Sequence, residues 1–259
     1  MEPLLNYYQG FHDIASVILL NLGPKNSIKS IYHLSYYYLL DYMGIDLIPV
    51  KKQLNCLFEL LKLKDQQLYN FITDLEIPNY FALSWLITWG CHDIKDWNLC
   101  SRLLDFYLAT SPEMPIYLAC VLILHYRNEI LNLEPDMPIV HTYLTNLMKN
   151  ITNSNNDNNN IIDIEELISK TSLLYQQLPF DQLINNNYNE LILNQNSAIL
   201  NFNEFLSLSS KQEFILNYSI LKNRLLIGFN QYNKQQLQSN TTLTITLVLL
   251  AMMYKKAIY

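Results

Sequence analysis

The feature that most restricts this chain is the way its apolar residues recur. They return every three or four positions almost throughout, and only five Gly and nine Pro interrupt 259 residues. An all-β domain needs many turns, so this spacing predicts an all-α fold. Leu4, Tyr8, Phe11, Ala15, Ile18 and Leu22 form one helical stripe, ended by the Gly-Pro of "LGPKNS". A second helix is expected through "SIKSIYHLSYYYLLDYM", closed by Gly44. "PVKKQLNCLFELLKLKDQQLYNFITDLEI" reads as a long helix with a break near Asp65. After Pro78, "NYFALSWLITWGCHDI" is too apolar for a surface helix and is expected at the centre of the core. "DWNLCSRLLDFYLATS" and "PEMPIYLACVLILHYRNEILNL" complete the helical set.

Charge narrows the function classes. Charged residues make up only 15% of the chain and the net charge is -6. A nucleic-acid footprint needs the opposite sign, yet Arg occurs only at Arg102, Arg127 and Arg224, with no basic stripe interleaved with aromatics. Cys56, Cys91, Cys100 and Cys120 show no CxxC spacing and sit in apolar surroundings, which predicts reduced, buried thiols. The opening "MEPLLNYYQG" has no basic stretch before an apolar run, so it does not read as a signal peptide.

Composition changes near residue 150. Residues 1–149 carry the helical domain, and the Asn-rich stretch 150–160 is expected to be a disordered insertion. Residues 161–240 are expected to hold peripheral helices, at about 161–178 and 195–228, and a tether. The end, "TTLTITLVLLAMMYKKAIY" (241–259), is a candidate membrane anchor. Its unbroken apolar part spans roughly 21 Å as a helix, and the whole about 28 Å, against a hydrocarbon core of about 30 Å. Lys255 and Lys256 would then snorkel to the interface. The alternative is an amphipathic or buried terminal helix.

Two His-Asp pairs recur, in "FHDI" (His12, Asp13) and "CHDI" (His92, Asp93). All-α metal phosphohydrolases hold a divalent ion with such residues, but nothing in this spacing demands that the ligands converge. Neighbours on a helix point about 100° apart, so His12 and Asp13 would not easily face one metal together. No metal site is assigned, and the histidines are read as structural or surface residues. GxxxxGK[ST], GxGxxG and GxSxG are all absent. Ser84 is read as a small helix-packing residue.

"YYQG" carries more information. Gly inside a helix costs about 1 kcal/mol relative to Ala, so Gly10 needs a reason to be there. Gln9 beside it is uncharged and offers both an acceptor and a donor, which suits it to orienting a water. Gly10 would remove a side chain that blocks close backbone approach.

The segment from about Leu5 to Leu133 resembles the TBC domain of Rab GTPase-activating proteins. Tyr7, Gln9 and Gly10 stand at that family's YxQG motif. "IPNYFALSWLITWGCHDIKDWNLCSRLLDFYLATSPEMPIYLACVLIL" resembles its third motif and the stretch after it, with Trp89 and the Arg102-x-x-Asp105 pattern in place. "YYQGFHDI", "FALSWLITWG" and "MPIY" point to the membrane-anchored subfamily that acts on Rabs of the early secretory pathway.

The resemblance implies that Gln9 is a glutamine finger, positioning the attacking water in a partner's nucleotide cleft. It implies that Tyr7 packs to fix the Gln9 backbone and that Arg102 and Asp105 form a structural ion pair or cap. The chain would be an activator and not itself a hydrolase. It needs no cofactor, since GTP and Mg²⁺ are carried by the Rab partner. It would work on the cytosolic face of an endomembrane, the endoplasmic reticulum first. The family's Arg finger belongs to an IxxDxxR motif upstream of YxQG, and no Asp here is followed three residues later by Arg. The expectation is either an N-terminally truncated activator or a non-catalytic Rab-binding helical adaptor.

Overall fold

The computed structural model describes residues 5–152, 161–186, 193 and 197–203. Helix α1 (Phe11–Tyr37) contains Gly23 at φ 69°, ψ 169°, with Pro24 next. The backbone at Gly23 is not helical, so α1 is the two expected helices end to end across a kink, with Pro24 at the first position of the second, where its missing N–H costs nothing. That half ends at Tyr37, short of Gly44, and a 3₁₀ turn at Leu40–Tyr42 folds Leu39, Tyr42 and Met43 into the core.

Helices α2 (Ile48–Lys64) and α3 (Gln66–Asp74) meet at Asp65. Its carboxylate accepts from the Leu68 N–H at 2.9 Å and so starts the second helix where the first stops. The stretch after Pro78 is not one helix. It is a 3₁₀ turn at Asn79–Ala82, the short α4 (Leu83–Ile87) and then turns. Asp96 caps α5 (Trp97–Leu108) through the Asn98 N–H.

The centre of the domain is α6 (Met114–His125). Every residue from Met114 to Ile123 is buried, as a helix apolar all round must be. It packs against α2 and α4. Trp85 on α4 and Trp89 in the turns after it are also fully buried, so this stretch is core as expected. Helices α7 (Arg127–Leu131) and α8 (Met137–Asn146) come next, then a 3₁₀ turn at Leu147–Asn150.

Past residue 149 the expected boundaries shift. The strands β1 (Ile151–Thr152) and β2 (Ile162–Asp163) pair in parallel, which makes residues 150–152 part of the fold and leaves 153–160 outside the described residues. Helix α9 (Ile164–Gln177) is not peripheral. Leu167, Thr171 and Leu174 are buried, and the helix packs on α6. Helix α10 (Phe180–Asn186) completes the series.

Residues 197–203 return to the body of the domain. Ser197 Oγ donates to buried Asp41 at 2.7 Å, and Phe202 stacks edge-on against Tyr38. Burial raises the Asp41 carboxyl above its usual range. Hydrogen bonds from Ser197, the Ala198 N–H and Gln53 oppose that rise. Among the described residues no helix is long and apolar enough to cross a membrane, and the candidate anchor at 241–259 lies outside them.

Candidate functional site

Gly10 does not interrupt a helix; it begins one. It is the N-terminal cap of α1, at φ 108° in the left-handed region that only glycine enters cheaply. A Cβ there would stand 2.6 Å from the Thr88 methyl carbon. Close approach of α1 to the turn after α4 therefore requires glycine, for the reason the sequence suggested. Thr88 is held in turn, its hydroxyl donating to the Ser84 carbonyl at 2.7 Å and accepting from the His92 N–H at 3.3 Å.

Gln9, one residue earlier, is exposed in the turn that leads into α1. Among the described residues its carboxamide has no hydrogen-bond partner. The residue that anchors it is Tyr8, not Tyr7. Tyr8 is buried, donates its hydroxyl to the Ile87 carbonyl at 2.9 Å and packs against Phe11 and Tyr42. Burial pushes the Tyr8 phenol well above its ordinary range, so it stays a donor. Tyr7 is half exposed, and its hydroxyl lies 3.0 Å from His12 Nδ1. Partial burial, then the Asp13 charge, raise its phenol above the ordinary range, while the Gly10 N–H pulls the other way. Tyr7 and Tyr8 precede the helix and Gln9 lies in the turn, so Tyr8 alone points into the core between two exposed neighbours, a pattern hidden by reading the stretch as helix.

Three residues of the two His-Asp pairs, His12, Asp13 and His92, come together. Asp13 Oδ1 lies 3.3 Å from His12 Nε2, and Asp13 Oδ2 lies 3.1 Å from His92 Nδ1. Asp93 instead accepts from Ser84 Oγ at 2.8 Å, which gives Ser84 a polar role beyond packing. In this cluster the imidazoles point at a carboxylate. Among the described residues no group of three or more His, Cys, Asp or Glu is arranged to hold a metal ion. The four cysteines are free thiols, and three of them are buried, with Cys91 half-buried.

Trp89 sits at φ 53° and Gly90 at φ 79°, two successive left-handed residues. The Trp89 ring is fully buried, edge-on to Tyr38 and Tyr107, and that burial holds a backbone conformation costly for a bulky residue. Arg102 does not pair with Asp105. Its guanidinium forks onto Glu165 of α9 at 2.6 and 2.7 Å, and Asp105 acts on it only as a nearby charge. Glu165 was the missing partner, 63 residues away and unreadable from local spacing. Arg127 is bound to Asp65 and, at 2.7 Å, to Gln67.

The family model for the Rab-GTPase-TBC domain matches residues 1–131. The chain is 36% identical over 182 residues to TBC1 domain family member 20 of Bos taurus, covering 70% of this chain and 42% of that protein. The Homo sapiens counterpart is 35% identical over 182 residues, with the same coverage. GTPase-activating protein gyp10 of Schizosaccharomyces pombe is 34% identical over 184 residues, 70% of this chain and 46% of the relative. The chain thus spans less than half the length of the curated relatives it matches. With the match over the helical body and the YxQG turn built as above, the chain belongs to the Rab-GTPase-TBC domain family.

Proposed function

We propose that this chain presents Gln9 to the nucleotide cleft of a Rab-family small GTPase of the early secretory pathway, where its carboxamide orients the attacking water. The observation that carries this reading is the pairing of an exposed, unpartnered carboxamide with a rigid support, buried Tyr8 on one side and Gly10 against Thr88 on the other. An amide oxygen can accept from the water while the amide N–H donates to a neighbouring acceptor. Phosphoryl transfer of this kind depends on positioning and charge stabilisation, so such a group adds rate without entering a covalent step. GTP and Mg²⁺ belong to the partner. The chain works on the cytosolic face of an endomembrane, held by residues 241–259.

Charge stabilisation is a separate task. An arginine finger is worth about 10³–10⁵ in rate, and neither described arginine is free for it. Arg102 is spent on Glu165, and Arg127 on Asp65 and Gln67. This supports a second reading, a Rab-binding helical adaptor that does not accelerate hydrolysis.

Single-turnover GTP hydrolysis by a panel of GTP-loaded Rabs, run alongside binding measurements, separates the two. Acceleration that Gln9→Ala lowers about tenfold or more, at unchanged affinity, is the expected outcome. Tight binding with no acceleration identifies the adaptor, and acceleration untouched by Gln9→Ala removes the glutamine role. For the tail, resistance of the protein to carbonate extraction from membranes is expected, and release would contradict the anchor.

A further inference from the structure

A closed circuit of contacts surrounds the exposed glutamine. Gly10 lies on the Thr88 methyl, and Thr88 Oγ1 accepts from the His92 N–H. The His92 ring meets Asp13, Asp13 meets the His12 ring, and His12 meets the Tyr7 hydroxyl. From Tyr7 the chain runs through Tyr8 and Gln9 back to Gly10, which closes the loop with Gln9 inside it. We infer that Asp13 is a positioning residue: its carboxylate ties the start of α1 to the turn at 88–92 through His92 and so fixes the direction in which Gln9 projects. The inference rests on the function proposed above for its consequence in catalysis, but not for its geometry.

Donors and acceptors must match around this circuit. A carboxylate only accepts, so the His92 Nδ1 that bonds to Asp13 Oδ2 at 3.1 Å must carry the proton. The His92 ring is largely exposed, so this bond is what orients it. His12 Nε2 stands 3.3 Å from Asp13 Oδ1 as a close electrostatic contact, while its Nδ1 pairs with the Tyr7 hydroxyl. One carboxylate thereby sets the His92 tautomer and lies between both histidines. Beside the circuit Asp93 accepts from Ser84, and the Thr88 hydroxyl, which takes the His92 N–H, also donates to the Ser84 carbonyl.

Asp13→Asn keeps the shape and replaces the carboxylate with a neutral amide, a weaker acceptor for His92 with an N–H₂ group in place of one oxygen. The His92 ring is then held less firmly, and the Gln9 turn loses a tie. Asp13→Glu keeps the carboxylate and serves as the conservative variant.

Two measurements on the full chain test this. In ¹⁵N–¹H spectra of the histidine rings, the native protein is expected to show His92 protonated at Nδ1. Asp13→Asn should shift or abolish this signature and broaden the Gln9 and Gly10 backbone amides, while thermal unfolding stays cooperative. In GTP hydrolysis by the Rab stimulated by this chain, Asp13→Asn should lower the maximal rate about tenfold with half-saturation unchanged, Asp13→Glu should recover part of it, and a Gln9→Ala background should show no further loss.

If the His92 ring signature and the Gln9 and Gly10 amides of Asp13→Asn match the native protein, the inference is overturned. If Gln9→Ala slows hydrolysis and Asp13→Asn does not, it is likewise overturned. If the spectra change as expected while Gln9→Ala leaves activity intact, the tie stands and the glutamine function falls.

Discussion

Two stretches of this protein are nearly the same hexapeptide, Gln9-Gly-Phe-His-Asp-Ile14 and Trp89-Gly-Cys-His-Asp-Ile94. Both begin alike. Each glycine is left-handed, each aspartate N–H donates to that glycine's carbonyl, at 3.0 and 3.1 Å, and each isoleucine is buried. Beyond that point they diverge. The first opens the helix that runs to the kink at Gly23, while the second remains a turn. The difference lies in the residues downstream. After Ile14 come Ala15, Val17, Ile18 and Leu19, which extend an apolar face. After Ile94 come Lys95 and Asp96, and Asp96 caps a new helix in another direction. The aspartates diverge too: Asp13 gathers both histidines, whereas Asp93 turns to Ser84. Local sequence sets the opening turn, and the continuation decides whether the turn becomes a scaffold or a site.

The glycines give the largest way to break this comparison. Gly10→Ala places a Cβ 2.6 Å from the Thr88 methyl at a positive φ, so overpacking and backbone strain together should cost about 3 kcal/mol. Thr88→Ser, which removes the methyl and keeps the hydroxyl, should recover part of that loss. Chemical denaturation of the single and double variants reads both. Gly90→Ala should cost less, about 1.5 kcal/mol, since its Cβ would meet only side-chain ends, Ile94 Cδ1 and Met148 Sδ, at 3.3 Å. Equal costs, or no rescue by Thr88→Ser, would mean that close approach does not distinguish the two turns.

A smaller effect separates the two tyrosines. Tyr8→Phe removes the hydrogen bond to the Ile87 carbonyl and leaves that buried acceptor short of a donor, for a loss of about 1 kcal/mol. Tyr7→Phe should change stability by less than about 0.5 kcal/mol, because the ring is half exposed. Thermal unfolding of the pair is the check, and the reverse order would return the anchoring role to Tyr7.

The reach of each interaction decides whether the sequence makes it legible. Helical periodicity locates α2, the break at Asp65 and α5, because these depend on spacing of a few residues. The need for a bare backbone at Gly10 is readable from its type alone. Its partner Thr88 is not, since it lies far along the chain and meets Gly10 only through the packing of α1. Apolarity places Trp85 and Trp89 in the core but overstates the helix around them, because burial can be met by turns as well as by α4. Arg102 suggests a pair with Asp105 on spacing, and Glu165 wins because the packing of α9 brings it within a bidentate fork. The His-Asp pairs read as scattered for the same reason: their meeting depends on tertiary contact between α1 and the turn at 88–92.

The finest test sets the two aspartates against each other. Asp93→Asn leaves an amide oxygen where the Ser84 hydroxyl now donates, so its cost should stay within about 0.5 kcal/mol. No histidine depends on Asp93, so the ring tautomers of His12 and His92 should be those of the native protein. The same substitution at Asp13 removes the carboxylate to which His92 is bonded. A variant series in which Asp93→Asn disturbs His92 as strongly as Asp13→Asn would show that adjacency in sequence outweighs the 3.1 Å contact across the fold. The opposite result would locate the difference between the two near-identical hexapeptides in a single carboxylate.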